Sequence, residues 1–296
     1  MERRFLFLLN PHAGVQKGQQ LHKLIKHRCE AASVNYTIEH SRADANYNQL
    51  REKISSEKIT DIIIAGGDGT ISAVTAQLKD LPINFGIIPK GSGNGLALAA
   101  GISRNPNKAL DIIFKGNAQR VDGFFLNEHF SCMLSGLGFD AQVAHDFDNQ
   151  KRRGFWKYVQ IGLKNLIGIK TYSFAVQSKE KNLKLNAYFI SIANSNQFGN
   201  YITIAPKASL TDGLLDVVAV EKTNFFLLPL QVLWHIRFGK FTKDFTKPSP
   251  IIYFQTDELT IENYQMAPLH IDGDGKETTK TIVIKILPQA YSLLVP

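Results

Sequence analysis

Two glycine-rich loops constrain this chain more than any other feature. Ile62-Ile63-Ile64-Ala65 runs directly into Gly66-Gly67-Asp68-Gly69-Thr70, and Ile83 to Ile88 runs into Pro89-Lys90-Gly91-Ser92-Gly93-Asn94-Gly95. A short, unbroken apolar run is what a strand covered on both faces needs, and such strands belong to parallel sheets flanked by helices. After the first loop, Ile71, Val74 and Leu78 recur at helical spacing, and a second helix is expected from about Leu96. Strand, glycine loop, helix, repeated, predicts a doubly wound, mostly parallel sheet. In such sheets the ligand lies outside the carboxyl ends of the strands, where both loops fall.

The same alternation fills the first 120 residues. Phe5 to Leu9 reads as a buried strand ending in the turn Asn10-Pro11-His12-Ala13-Gly14. Gln19 to Ala32 puts Leu21, Leu24, Ile25 and Cys29 on one helical face. Val34 to Ile38 is a further strand, and Asp44 can cap a helix carrying Tyr47, Leu50 and Ile54. From about residue 120 the texture changes. Asn127 to Leu137, Thr171 to Gln177, Leu185 to Asn194, Leu214 to Val220, Ile251 to Phe254, Glu258 to Asn263 and Thr281 to Leu287 are strand-like, with few helices between them. They predict a second, mainly antiparallel β-sandwich domain. Arg152 to Ile169 and Asn224 to Phe238 are helix candidates that interrupt it. The expected domains are an α/β domain over 1–120 and a β-rich domain over 121–280, followed by a C-terminal segment, 281–296.

Composition removes several classes. The two cysteines of the 296 residues, Cys29 and Cys132, have no metal-type spacing and make no disulfide framework. No segment reaches the roughly 18–20 apolar residues of a membrane span. The apolar run Phe5–Leu9 is shorter than the about 7–15 residues of a signal-peptide core. A cytoplasmic protein is expected. The net charge of +8 suits a polyanion of some kind, whether nucleotide, nucleic acid or anionic lipid surface.

The loops themselves carry the chemistry. Glycines let a backbone approach a phosphate closely, and the N–H groups opening the next helix then face the anion. Gly66, Gly67, Asp68, Gly69 and Thr70 form one such cradle, and Ser92, Gly93 and Asn94 a second with two side-chain donors. Two cradles on one sheet edge can hold a triphosphate, with Asn10 on a third turn beside them. Asp68 is repulsive there unless it handles a metal or a proton. Taken alone, Asp272-Gly273-Asp274-Gly275 has the composition of a hairpin turn, and Asp212-Gly213 that of a tight turn.

Asn10-Pro11-x-x-Gly14, Gly66-Gly67-Asp68-Gly69-Thr70 and Gly91-Ser92-Gly93-Asn94-x-x-Ala97, in that order, resemble the motifs of the diacylglycerol kinase catalytic family, which includes bacterial lipid, sphingosine and ceramide kinases. Gly138-Phe139-Asp140-Ala141, then Asn194-Ser195, Ala205-Pro206, Asp212-Gly213-Leu214-Leu215-Asp216 and Ile271-Asp272-Gly273-Asp274, extend the resemblance over nearly the whole chain. It implies a nucleotide-binding α/β domain and a β-rich lipid domain, with the active site in the cleft between them and the last strand returning to the first domain. It implies ATP and Mg²⁺ as cofactors. It also implies either Asp272 or Asp68 as general base, Asp274 beside metal or ribose, and a structural Mg²⁺ site at Ser209, Asp212 and Leu214. Gly95 stands where many bacterial members carry Asp, and Asp274 replaces the usual Glu, one methylene shorter.

A lipid acceptor implies peripheral contact with an anionic membrane. Lys151-Arg152-Arg153-Gly154-Phe155-Trp156-Lys157-Tyr158 mixes cations and aromatics as an interface demands, and Phe225 to Leu230 with Trp234 is a second candidate. No nucleic-acid module accompanies the charge, and a homodimer is left open. A NAD kinase, which also carries Gly-Gly-Asp-Gly-Thr, and a non-catalytic lipid or nucleotide sensor are the rival readings.

Overall fold

The computed structural model describes residues 2–11, 15–42, 44–148, 155–166, 168–197, 199, 203–223 and 250–296. These divide into two compact units, Met1–Val121 with Gln289–Pro296, and Asp122–Pro288. The first unit thus includes the C-terminal residues from Gln289 onward.

The first unit alternates strand and helix: β1 (Arg4–Leu9), α1 (Val15–Ala31), β2 (Asn35–His40), α2 (Leu50–Ser56), β3 (Asp61–Gly66), α3 (Asp68–Leu78), β4 (Asn84–Pro89), α4 (Gly95–Ala99) and α5 (Pro106–Lys115). Its strands lie parallel in the order β2-β1-β3-β4, and the end of β15 (Thr281–Leu294) adds beside β4 through Ser292 and Leu293. β3 is buried at every position, as its unbroken Ile-Ile-Ile run requires, and each such side chain contributes roughly 1.5–3 kcal/mol of burial. The chain departs from β1 toward β2 on one side, while β3 lies on the other, so the order reverses between β1 and β3. That is the switch point where open α/β sheets bind ligands. At the opposite end of β3, buried Asp61 is compensated by Arg3, which reaches both its oxygens at 2.7 and 3.0 Å.

One local expectation fails. Asp44 does not cap α2; its Oδ1 accepts from the N–H of Asn46, and the helix starts at Leu50 behind Gln49. The Asx-turn satisfies the backbone locally and delays the helix.

β5 (Ala118–Leu126) leads into the second unit. There follow β6 (His129–Ser131), β7 (Leu134–Gly138), α6 (Phe139–Asp148), α7 (Phe155–Leu166), β8 (Tyr172–Ser178), β9 (Asn182–Ala193), β10 (Leu215–Glu221), β11 (Ile251–Thr256), β12 (Glu258–Asn263), β13 (Leu269–Ile271) and β14 (Asp274–Lys276), then the start of β15. This is a β-sandwich joined by the long strand β9. Its first half pairs with β8, and its second half with β7 and β10. One layer runs β14-β13-β7-β9-β10-β11, the other β9-β8-β12-β15-β5-β6. All strand pairs with a resolved register in this unit are antiparallel. Ile190, Ile192, Val217, Leu269 and Ile271 of the first layer meet Phe124, Phe174, Val176, Ile261, Ile282 and Ile284 of the second in one core. Period-two alternation in β12 and β15 follows, because one face is buried and the other is not. The helix candidate at 224–238 and the basic segment 151–154 lie outside the described residues. Phe155 to Tyr158 open α7, but their side chains lie outside the description. Among the described residues, no helix is long and apolar enough to cross a membrane.

Candidate active site

In the first unit, the carboxyl ends of β1, β3 and β4 bring the predicted phosphate residues together. The N–H of Asn10 bonds to Ala65 O at 2.9 Å, and its side-chain amide donates to Thr70 Oγ1 at 3.0 Å. This ties the end of β1 to the first turn of α3, across the switch point. Gly67 is the N-cap of α3 and contributes no side chain. The first intrahelical bond runs from Ile71 N to Gly67 O, so the N–H groups of Asp68, Gly69 and Thr70 lie ahead of it, as an anion site requires. Asp68 is the first helical residue rather than the cap.

The second loop is held together by its own asparagine. Asn94 is 2 % exposed and sits in the left-handed region at φ +56°. Its Oδ1 accepts from Gly91 N at 2.8 Å, and its Nδ2 donates to Gly91 O at 2.7 Å. The amide therefore closes the 91–94 loop on itself, with one of its two N–H groups engaged by Gly91 O. Ser92 is exposed, and Arg104 donates to Gly93 O at 2.8 Å. Lys90 N bonds to Gly66 O, locking the two loops side by side.

In the second unit, Asp272 and Gly273 form the two-residue link of the β13–β14 hairpin, between the paired residues Ile271 and Asp274. Both have positive φ, +51° and +89°, the signature of a type I′ turn, and Asp-Gly is the pair that accepts it. The hairpin composition read from the sequence is therefore real, yet the carboxylate has a second task. Asp272 is 7 % exposed and gathers five donors from one turn. Ser131 Oγ, Met133 N and Leu134 N donate to Oδ1 at 2.7, 3.0 and 3.1 Å; Cys132 N and Cys132 Sγ donate to Oδ2 at 3.1 and 3.4 Å. A carboxylate offers about four lone-pair sites, and these donors fix this one in direction. Nothing in the sequence pointed to Ser131 to Leu134. Asp274 opens β14 on its exposed side.

The predicted metal loop lies in the same unit. Asp212 Oδ1 accepts from Leu214 N at 3.1 Å, and the Ser209 hydroxyl meets Thr211 N and Oγ1 at 3.4 Å each. Sequence reading missed Asp122, whose buried carboxylate accepts from Gly213 N at 2.8 Å. Desolvation in the loop pushes the Asp212 carboxyl up, and the neighbouring Asp122 charge pushes it the same way. Asp216, fully buried on β10, is pushed up to about 7, chiefly by burial and secondarily by Asp212. Its Oδ2 accepts from Gln255 at 3.3 Å, and its Oδ1 has no hydrogen-bond partner. Among the described residues, no group of three or more His, Cys, Asp or Glu is arranged to hold a metal ion. The donors the loop does offer are all oxygens, carboxylates with backbone carbonyls, and these suit a hard cation such as Mg²⁺.

Comparison with known proteins matches both units. The diacylglycerol kinase catalytic domain matches residues 4–125, and the YegS C-terminal NAD kinase beta sandwich-like domain matches residues 134–295. A diacylglycerol kinase of Staphylococcus aureus (strain JH9) is 25% identical, over 93% of this chain and 87% of its own. The Shewanella frigidimarina protein named "Probable lipid kinase YegS-like" is 25% identical, over 81% of this chain and 78% of its own. The crystal structure of a diacylglycerol kinase from Bacillus anthracis superposes over 100% of this chain and 97% of its own, with a TM-score of 0.75 and 20% sequence identity.

Proposed function

This chain belongs to the diacylglycerol kinase and YegS-like lipid kinase family, and from that membership we propose that it transfers the γ-phosphoryl group of ATP to the hydroxyl of a lipid at a membrane surface. The observation that carries the reading is the pair of loops at the ends of β3 and β4, locked to each other and free of side chains where they meet. Phosphoryl transfer asks little covalent chemistry of a protein; it asks for position, neutralised charge and an oriented nucleophile. The N–H groups of residues 68–70 and the 91–93 backbone bind the phosphates, with Asn10 and Thr70 fixing the first turn. Asp68, in the first turn of α3, is the residue that would hold a divalent cation there. Bound there, Mg²⁺ supplies charge neutralisation of the phosphate oxygens. Asp212, with Asp122 and the Ser209 and Leu214 backbone, would hold a second, structural cation.

We assign Asp272 as the general base. Its proton-accepting atom is Oδ2, which faces the Cys132 thiol, a weak donor. A lipid hydroxyl would give its proton to this carboxylate as its oxygen forms the new bond to the γ-phosphorus and the bond to the β-phosphate oxygen breaks. The net charge of +8 favours docking to an anionic membrane.

The test is transfer of label from γ-labelled ATP to a panel of diacylglycerol, monoacylglycerol, sphingosine, ceramide and NAD. Label in one or more lipids, lost in Asp272→Asn while ATP still binds, is expected. Label in NAD alone would make this a small-molecule kinase, and label nowhere would leave a sensor that binds without turnover.

A further inference from the structure

On the footing that Asp272 accepts the lipid proton, we propose that His270, backed by Asp140, is the positioning residue that holds the Asp272–Gly273 turn in its working geometry. His270 is fully buried on β13 and lies opposite Gly136 of β7 in the strand register. Its Nδ1 accepts from Gly273 N at 3.3 Å, and its Nε2 lies 3.4 Å from Asp140 Oδ2. A backbone N–H can only donate, so Nδ1 must be the bare nitrogen and the ring proton must sit on Nε2, facing the carboxylate. Asp140 is itself oriented, because its Oδ1 accepts from Ala141 N at 2.8 Å in the first turn of α6. The chain of contacts therefore runs from α6 through Asp140 and His270 to the amide that follows Asp272.

The surroundings show that this arrangement is built for. A Cβ on Gly136 would overlap Asp140 Oδ2 and stand 2.8 Å from His270 Nε2, so only glycine leaves room for the pair on this face. The turn needs holding. Asp272 carries φ +51°, a region that a residue with a Cβ occupies at a cost, and its carboxylate must aim at the 131–134 donors from that strained position. Those donors fix the carboxylate from one side, and His270 fixes the backbone from the other. Neither His270 nor Asp140 touches a reacting atom; both act through the direction in which Asp272 points.

Two replacements separate positioning from packing. Asn places an amide atom where Nδ1 was, and Gln places one where Nε2 was. His270→Asn keeps the bond to Gly273 and should hold kcat within about threefold. His270→Gln keeps the Asp140 side, frees Gly273, and should lower kcat by at least about tenfold with KM for ATP within twofold. Equal losses in the two variants, or a loss confined to KM, overturn the assignment. Asp272→Asn run in parallel tests the underlying reading separately: if it turns over normally, Asp272 is not the base, whatever the histidine variants do. Should the variants not fold, a long-range ¹H–¹⁵N spectrum of the wild-type protein decides. The Nε2–H tautomer at His270, with Nδ1 bare toward Gly273 N, is expected, and a proton found on Nδ1 overturns it.

Discussion

Gly91 and Gly67 meet backbone to backbone where β4 and β3 end: a Cβ on Gly91 would stand 2.6 Å from Gly67 Cα, and one on Gly67 would stand 3.0 Å from Gly91 Cα. The obstacle in each case is main chain, which cannot swing aside. Gly91→Ala is therefore predicted to destabilise the protein by roughly 1–3 kcal/mol and to weaken ATP binding by about tenfold or more, because the loops must part. Gly18→Ala is the control. It lies in α1 with nothing within 4 Å of the added carbon, and should be neutral or stabilising by about 1 kcal/mol. Thermal denaturation and ATP titration calorimetry measure both. Equal behaviour of the two variants would remove the packed-loop account.

Asn94 clamps its own loop, so its replacement should show in the nucleotide-free protein. Asn94→Gly keeps the left-handed backbone and loses two hydrogen bonds, a cost of about 1–2 kcal/mol. Asn94→Ala adds the strain of a Cβ at positive φ, about 1 kcal/mol more. The expected order of stability is wild type, Gly, Ala. If the amide were reserved for phosphate, wild type and Asn94→Gly would melt together without ATP.

Asp216 gives a pH dependence of definite sign. Its pKa is raised to about 7 in the fold, against about 4 when unfolded, so between those values the folded state holds a proton that the unfolded state has released. Stability from this group is greatest below pH 4, declines as pH rises toward 7, and is flat above. Up to about 4 kcal/mol is at stake. In chelator, Asp216→Asn should flatten that decline and gain stability at pH 8 relative to wild type. A variant that loses stability equally at pH 4 and pH 8 would show that Asp216 is held ionised after all.

The Asp122–Asp212 loop makes a prediction independent of turnover. Mg²⁺ in the millimolar range should raise the melting temperature of the wild-type protein, and chelator should lower it. Asp122→Asn keeps an oxygen that can accept from Gly213 N but removes a charge, and should abolish most of the shift. A shift of the same size in the variant would place any cation elsewhere.

The sequence carried the architecture because its signals are local. Ile62 to Ala65 had to be buried on both faces, Gly66 to Thr70 had to be a strand-to-helix turn, and Ile282, Ile284 and Ile286 had to alternate, whatever the rest of the chain did. Where a side chain finds its partner within a few residues by several competing routes, the sequence says less: Asp44 takes its own turn instead of a helix cap, and Asn94 bonds to Gly91 three residues before it.

What only the tertiary structure decided is the set of contacts between residues far apart in the chain. Ser131 to Leu134 reach Asp272 across about 140 positions, Asp122 reaches Gly213 across 91, and Asp140 meets His270 across 130. No periodicity or spacing encodes such pairs. The Asp272 and His270 pairs arise because β7 and β13 are neighbours in the sheet, and the Asp122 pair because the 209–214 loop folds back on β5. The amino-acid order thus settled which segments become strands, helices and glycine turns; folding settled which charges each acidic side chain must answer to.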